Sequence, residues 1–266
     1  MDFGPRIASS RYRSAMPAAE LAKLGVPRGK DVIVLSKHWW KWDEVATGYK
    51  KTVFDCCTDY FQTDGPLREF YLDVCGRVDA VVASSAEMAR RIKHHTGRDA
   101  WVIEDPYEER ECDPAVHKTL LWHGHLRNAG PEIEAVRHTL SGYPLICVTG
   151  GGNTVPPGYN EWSPETLDKA YAQCGMVLLP YHAGNMESTA NRAINAIRRG
   201  RWPVCHPMPA LAELGVWQGD IAEGVRWALA NQNEVLNRLY AMQDYVNARF
   251  SPRAIAGKWK SMLESL

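Results

Sequence analysis

Short, continuous apolar runs recur along this 266-residue chain and set the strongest limit on its fold. They are DVIVLS at 31–36, KTVFDCC at 51–57, VDAVVASS at 78–85, WVIED at 101–105, TLLWHG at 119–124, YPLICVTGGG at 143–152, GMVLLP at 175–180 and WPVCH at 202–206. Runs of this kind belong to strands buried on both faces, not to strands with one wet face. Stretches that read as helices lie between and after them, at 14–25, 87–96, 131–140, 164–174, 187–199, 210–215, 221–231, 233–249 and 253–266. Residues 6–10 read as a short first strand. Strand alternating with helix predicts a parallel sheet with helices on both sides.

The pattern pauses once. Residues 107–118 are charged, carry Pro114 and have no clear period, which reads as a linker. The chain is therefore expected to form an acceptor-side N-terminal domain over 1–110, a second domain over 111–250, and a tail helix over 251–266 that packs back on the first. Ligands of such sheets sit beyond the carboxyl ends of the strands, and two such edges are expected to face each other across a cleft.

Composition narrows the partners. Hydrophobic residues make up 45% and charged residues 23%, the balance of a soluble globular protein. The formal net charge is zero, so a polyanion must be met by a local patch and not by the field of the whole molecule. No apolar run approaches the ~20 residues of a membrane span. The opening MDFGPRIASSRYR lacks the apolar core of a secretion signal, and the expected location is cytoplasmic. Seven cysteines, at 56, 57, 75, 112, 147, 174 and 205, form no CxxC. They read as buried free thiols and not as a zinc or disulfide framework. Ten tryptophans, several in polar surroundings, hint at stacking or interface roles.

The stretch 179–209, LPYHAGNMESTANRAINAIRRGRWPVCHPMP, organises the second half. It reads as strand end, glycine-containing loop, helix and strand, the unit that puts a helix start at the carboxyl edge of a sheet. Asn185, Glu187, Ser188, Thr189, Asn191 and Arg192 gather at that end. The helix dipole contributes only about 0.3–1 kcal/mol toward an anion. One charge-assisted bond from Arg192 would contribute about 1.5–3 kcal/mol, so the arginine matters more. The plainer reading is a capped surface helix, weakened by the clustering of its polar groups directly after an apolar strand.

With these residues in view, the chain resembles nucleotide-sugar glycosyltransferases of the GT-B fold, retaining type, group 1 or family 4-like. The stretches that carry the resemblance are IASSRYRSAMPAAELAKLG, KTVFDCCTDYF and VDAVVASSAEMARRIKHHTGRDAWVIEDPYE in the first half. In the second half they are LLWHGHLRN, the Trp-Ser-Pro-Glu before a helix, LLP, and STANRAINAIRRGRWPV. The resemblance implies two facing Rossmann-like domains with parallel sheets and a C-terminal helix crossing back. It implies that Gly124 lets the backbone approach the donor diphosphate and that Arg127 and Arg192 neutralise it. Trp162 and the glycine loop with Gly150 and Gly151 would lie near the base and ribose, and Glu187 would touch donor sugar hydroxyls. Asn128, Tyr181, Ser188, Thr189 and Asn191 complete the implied donor set. Asn195 stands where the family has a second carboxylate and would be a neutral, weaker acceptor for a ribose hydroxyl. No cofactor and no metal are implied; the co-substrate would be a UDP-sugar.

Other motifs are weighed beside this set. His123-Gly124-His125 could supply two metal ligands, but alternation points them apart and spacing places no third. The glycines at 150–152 lack a Walker lysine and read as a turn that a ligand can approach. Asp55 and Asp59 follow a strand at the first sheet's carboxyl edge, Asp55 reading as a turn cap and Asp59 as the freer carboxylate. Asp59 is thus the candidate for acceptor proton transfer, with His38 as a second. Residues 36–51, SKHWWKWDEVATGYKK, interleave cations with aromatics. With Arg11 and Arg13, the residues Lys37, Trp39 and Trp40 could hold a nucleic acid, since indoles stack on unpaired bases at about 1–3 kcal/mol per base. An amphipathic helix with its tryptophans in the core is at least as good a reading. The expected activity is sugar transfer to a hydroxyl, of a hydroxylated or hydroxymethylated DNA base as in viral base-modifying relatives, or else of a glycan or small molecule. The alternatives are a non-catalytic nucleic-acid or glycan binding module, and a sugar-nucleotide epimerase or hydrolase.

Overall fold

Alternate residues of each inner strand face opposite ways, and in this chain both directions are filled. The computed structural model describes residues 11–26, 29, 31–36, 42–150, 155–181 and 190–266, and of 43, 127 and 128 the backbone alone. The chain divides into two compact units, Met1–Tyr107 with Ala248–Leu266, and Glu108–Asn247.

In the first unit a π-helical turn, Arg11–Ala15, runs into α1 (Met16–Lys23). Then come β1 (Val32–Ser36), α2 (Trp42–Ala46), β2 (Lys51–Cys56), α3 (Pro66–Arg77), β3 (Ala80–Ala83), α4 (Ala86–Thr96) and β4 (Trp101–Val102). The strands form a parallel sheet in the order β1-β2-β3-β4, with Phe54 beside Leu35 on one side and Val81 on the other. Phe54, Cys56, Val81 and Ala83 pack with Tyr71, Val74 and Cys75 of α3 and with Met88 and Ile92 of α4. Their sequence neighbours Val53, Ala80 and Val82 pack on the opposite face against Ile255, Trp259 and Met262 of the C-terminal helix, Pro252–Glu264, with Leu21 of α1 alongside. Burial on both faces is why these strands read as unbroken apolar runs.

Helix α3 is an addition to the sequence reading, which assigns no element between 58 and 77. Its signal is Pro66 in the first turn and Tyr71, Val74 and Cys75 buried at positions i, i+3 and i+4. Tyr71 forms edge-on contacts with Phe54 at 4.9 Å and Phe61 at 5.8 Å, so the helix is held mostly by aromatic packing.

The second unit contains β5 (Leu120–Gly124), α5 (Leu126–Thr139), β6 (Leu145–Thr149), β7 (Asn160–Glu161), α6 (Pro164–Gln173), β8 (Met176–Leu179), α7 (Asn191–Arg198) and β9 (Trp202–Cys205). A 3-10 turn at Pro209–Leu214, β10 (Trp217–Gln218), α8 (Ile221–Ala230) and α9 (Gln232–Phe250) follow, α9 belonging to this unit as far as Asn247. The parallel sheet has the order β10-β9-β8-β5-β6-β7. The chain leaves β5 toward β6 and returns on its other side at β8, which makes the β5–β8 border the switch point of the sheet. Pro203 sits inside β9 without losing a ladder bond. Trp202 and His206 donate toward β8, so position 203 faces β10, which pairs only with Val204 and Cys205.

Two boundaries differ from the sequence reading. Helix α5 starts before Pro131, as two pieces joined at a non-helical Ala129 (φ −156°), because proline removes a helical bond and crowds the preceding turn. The segment read as a linker is, from Glu108 onward, part of the second unit. Cys112 N donates to Arg198 O (3.1 Å), Ala115 N to Gly200 O (2.9 Å), and Gln243 Nε2 to Cys112 O (2.8 Å). Gly200 (φ 66°) permits this, since a Cβ there would stand 2.5 Å from Asp113 O. All seven cysteines are free, five of them buried. Among the described residues no helix is long and apolar enough to cross a membrane.

Candidate functional site

The carboxyl ends of β5 and β8 and the first turn of α7 meet at the switch point of the second unit. β5 ends in His123-Gly124, β8 runs on through Pro180 to Tyr181, and α7 opens with Asn191 and Arg192. Arg192 lies across the end of β5: its Nη1 donates to the carbonyl of His123 at 3.2 Å. Its guanidinium carbon is 5.0 Å from the ring centre of Tyr181. Tyr181 is buried, which pushes its hydroxyl up to about 12 and keeps it neutral against the cation. Gly124 leaves room for this guanidinium, since a Cβ there would come within 2.9 Å of Arg192 Nη1 and push it aside.

Behind this edge, His123 is buried and its Nε2 lies 3.0 Å from the hydroxyl of Tyr171 on α6. Burial, reinforced by the charge of Arg192, pushes the imidazole down to about 3, so it is neutral in the working range of proteins. Its ring is thereby committed to Tyr171, and among the described residues no group of His, Cys, Asp and Glu is placed to hold a metal.

At the next strand, Trp162 N donates to Thr149 O (2.8 Å) and a Cβ on Gly150 would stand 3.0 Å from the Trp162 Cβ. Gly150 and the half-buried Trp162 are therefore neighbours at the end of β6. Asn195, one turn into α7, is buried, and its Oδ1 accepts from Glu108 N at 3.0 Å. That oxygen anchors the chain segment entering the unit. Gly151, Glu187, Ser188 and Thr189, and the side chains of Arg127 and Asn128, lie outside the described residues.

In the first unit the structure corrects two candidates. Arg13 is not an acceptor-binding surface residue: it is buried at the carboxyl edge of the sheet. Its Nε and Nη2 grip both oxygens of Asp55 (2.9 and 2.5 Å), and its Nη1 reaches Ile103 O (2.6 Å) and Asp105 (3.3 Å). Burial alone would lower the guanidinium, but the Asp55 carboxylate outweighs it and holds Arg13 above its ordinary value. Asp55 also accepts from Ser36 Oγ (2.6 Å), so it is the anchor of a buried network and not a turn cap. Asp59 is the turn residue instead: Oδ1 accepts from Phe61 N (2.8 Å) and Oδ2 from Arg91 Nη1 (2.8 Å). Its side chain is fully covered, so it is not a free carboxylate facing solvent.

Arg11 is half-buried, its guanidinium 5.6 Å from the ring of Tyr12. Lys37, His38, Trp39 and Trp40 lie outside the described residues. Of the same stretch, Trp42 is buried edge-on to Phe54 at 6.0 Å. Lys50 pairs with Asp31 (2.7 Å) and Lys51 with Asp79 (3.0 Å). Sequence reasoning missed Tyr171, which sits in the last turn of α6 without a motif, and Arg91, whose partner is 32 residues away.

No protein-family model and no curated protein sequence matches the chain. Solved structures do resemble it. HepE of Anabaena in complex with UDP-glucose superposes with a TM-score of 0.69 at 14% identity, over 94% of this chain and 82% of that one. A trehalose-phosphate synthase (UDP-forming) of Burkholderia vietnamiensis gives 0.65 at 10% identity, over 99% and 79%. TarM of S. aureus, in complex with fondaparinux, alpha-GlcNAc-glycerol and UDP, gives 0.64 at 10% identity over 92% of this chain, which spans 58% of TarM. With two parallel α/β sheets and these neighbours, the fold of the chain is that of the GT-B glycosyltransferases.

Proposed function

We propose that this protein is a glycosyltransferase that moves a sugar from a nucleoside-diphosphate sugar, a UDP-sugar in the first instance, to an acceptor hydroxyl. The observation that carries the reading is Arg192, held at the switch point of the second sheet in the space left by the glycine that ends β5. A guanidinium there neutralises charge that builds on the departing diphosphate, a stabilisation realised mainly in the transition state. Arg127 shares that charge, Glu187 orients the donor sugar, and the leaving phosphate takes the acceptor proton, so no metal or cofactor is required. HepE and TarM, whose structures hold UDP-glucose or UDP, support a UDP-linked donor.

For the acceptor, a DNA base requires cations and open aromatic faces. Arg13 and Trp42 are in the interior, and Lys50 and Lys51 are paired with carboxylates. With Arg13 and Trp42 withdrawn from that surface, Lys50 and Lys51 exposed in surface pairs, and Lys37, Trp39 and Trp40 outside the described residues, the hydroxyl of a glycan or small molecule is taken as the first acceptor to test. The test is a panel of nucleotide-sugars, each offered with oligosaccharide, with hydroxymethylated DNA and with no acceptor, read by release of nucleoside diphosphate. Release that depends on a saccharide or small hydroxyl compound supports the reading. Release without acceptor assigns a hydrolase, and release only with DNA restores the nucleic-acid acceptor. No release from any donor contradicts transfer.

A further inference from the structure

The pair His123–Tyr171 has no part in the donor set, yet it lies directly behind it. Arg192 rests on the carbonyl of His123, and the residue that follows that carbonyl is a glycine, whose backbone has the widest freedom of any residue. The β5–β6 ladder, in which Gly124 pairs with Thr149, holds this peptide on one side, and the side chain of His123 is the second hold on its carbonyl. His123 is fixed through its ring, Nε2 to the Tyr171 hydroxyl at 3.0 Å, with the two rings edge-on and centred 5.6 Å apart.

Tyr171 is itself immobilised on three sides. Its ring lies under the guanidinium of Arg199 at 5.2 Å, and Arg199 donates to Asp168 Oδ1 at 2.5 Å. Its carbonyl accepts from Arg201 Nε at 2.9 Å, and its hydroxyl meets His123. Helix α6 thus reaches α7 through a chain of contacts that starts at the half-exposed Asp168 and runs through the buried Arg199, Tyr171 and His123 to the strand-end carbonyl and Arg192.

We propose that Tyr171 is a positioning residue which, through the buried imidazole of His123, fixes the carbonyl that aims Arg192 at the donor diphosphate. The inference rests on the reading of Arg192 as the diphosphate ligand. It goes beyond that reading by giving α6 a share in donor affinity without contact to the donor.

The test is calorimetric titration of UDP and of uridine into wild type, Tyr171→Phe, Arg192→Ala and the double variant. Tyr171→Phe keeps the ring under Arg199 and removes only the hydroxyl. It is expected to weaken UDP about tenfold, the scale of one hydrogen bond, and to leave uridine unchanged. In the Arg192→Ala background it is expected to change nothing further. His123→Leu, a second way to cut the same link, is expected to repeat the loss for UDP alone. Equal weakening of UDP and uridine, or a tyrosine effect that persists without Arg192, marks a merely structural role and overturns the proposal. So does wild-type UDP affinity in Tyr171→Phe or in His123→Leu. Failure of the wild type to bind UDP or any other nucleoside diphosphate overturns the functional reading and the positioning role together, whereas binding that ignores both variants overturns the positioning role alone.

Discussion

Arg192 occupies the space that Gly124 leaves empty: a Cβ at position 124 would stand 2.9 Å from the arginine's Nη1. The atom it would strike is the far end of a long side chain, so Gly124→Ala is expected to displace the guanidinium, at the further cost of strain at φ 157°. The expected result is a loss of UDP affinity of tenfold or more, since a charge-assisted bond contributes about 1.5–3 kcal/mol. Calorimetry on the folded variant checks it; wild-type affinity would show that the guanidinium's position at β5 is immaterial.

Arg13 should matter for stability and not for the acceptor. Removing it leaves Asp55 as a buried, uncompensated carboxylate, and breaking such a pair costs about 3–5 kcal/mol. Arg13→Met is expected to lower the unfolding free energy by that amount in urea titration. A change under about 1 kcal/mol, the range of surface pairs, would place the pair in solvent.

These first two residues show what the sequence made legible and what it concealed. The sheets were readable because strands such as Lys51–Cys56 are buried on both faces, which leaves an unbroken apolar run in the letters. The strand β8 and the helix that carries Arg192 were readable because a strand followed by a helix is a local pattern. Arg13 and Asp59 were misread because their fates depend on Asp55, 42 residues from the first, and Arg91, 32 from the second. Nothing local distinguishes a paired buried charge from a solvated one. Helix α3 went unread because its buried stripe is short and its hold is aromatic packing with Phe54 and Phe61, visible only once the chain is folded.

The C-terminal helix should stabilise the first unit. Trp259 is buried against Val53, Val82 and Ile103, and Arg13 lies 5.5 Å over its ring. Trp259→Ala is expected to destabilise by about 3–5 kcal/mol, the cost of emptying a large aromatic site. The measurement is again urea unfolding, and a cost below about 1 kcal/mol would mean that this helix contributes little to the core.

His123 gives the stability a pH dependence with a definite sign. Its folded value, about 3, lies below the unfolded value near 6.5, so the unfolded chain binds more protons between them. The contribution is present in full above pH 6.5 and is lost as pH falls toward 3. At about 1.36 kcal/mol per pH unit, the loss between pH 6.5 and pH 5 is roughly 2 kcal/mol. His123→Gln, which does not titrate, is expected to show a correspondingly shallower acid slope than wild type. Identical slopes would show that His123 is open to protonation in the folded protein.

The central claim is that Arg192 stabilises a departing nucleoside diphosphate. Its most direct test is the rate of UDP release from the donor and acceptor found by the panel, compared between wild type and Arg192→Ala. Arg192→Ala is expected to lower kcat/KM by about 10²–10³-fold, as when one preorganised transition-state donor is removed, with the urea midpoint unchanged. Near-normal turnover in Arg192→Ala would contradict it.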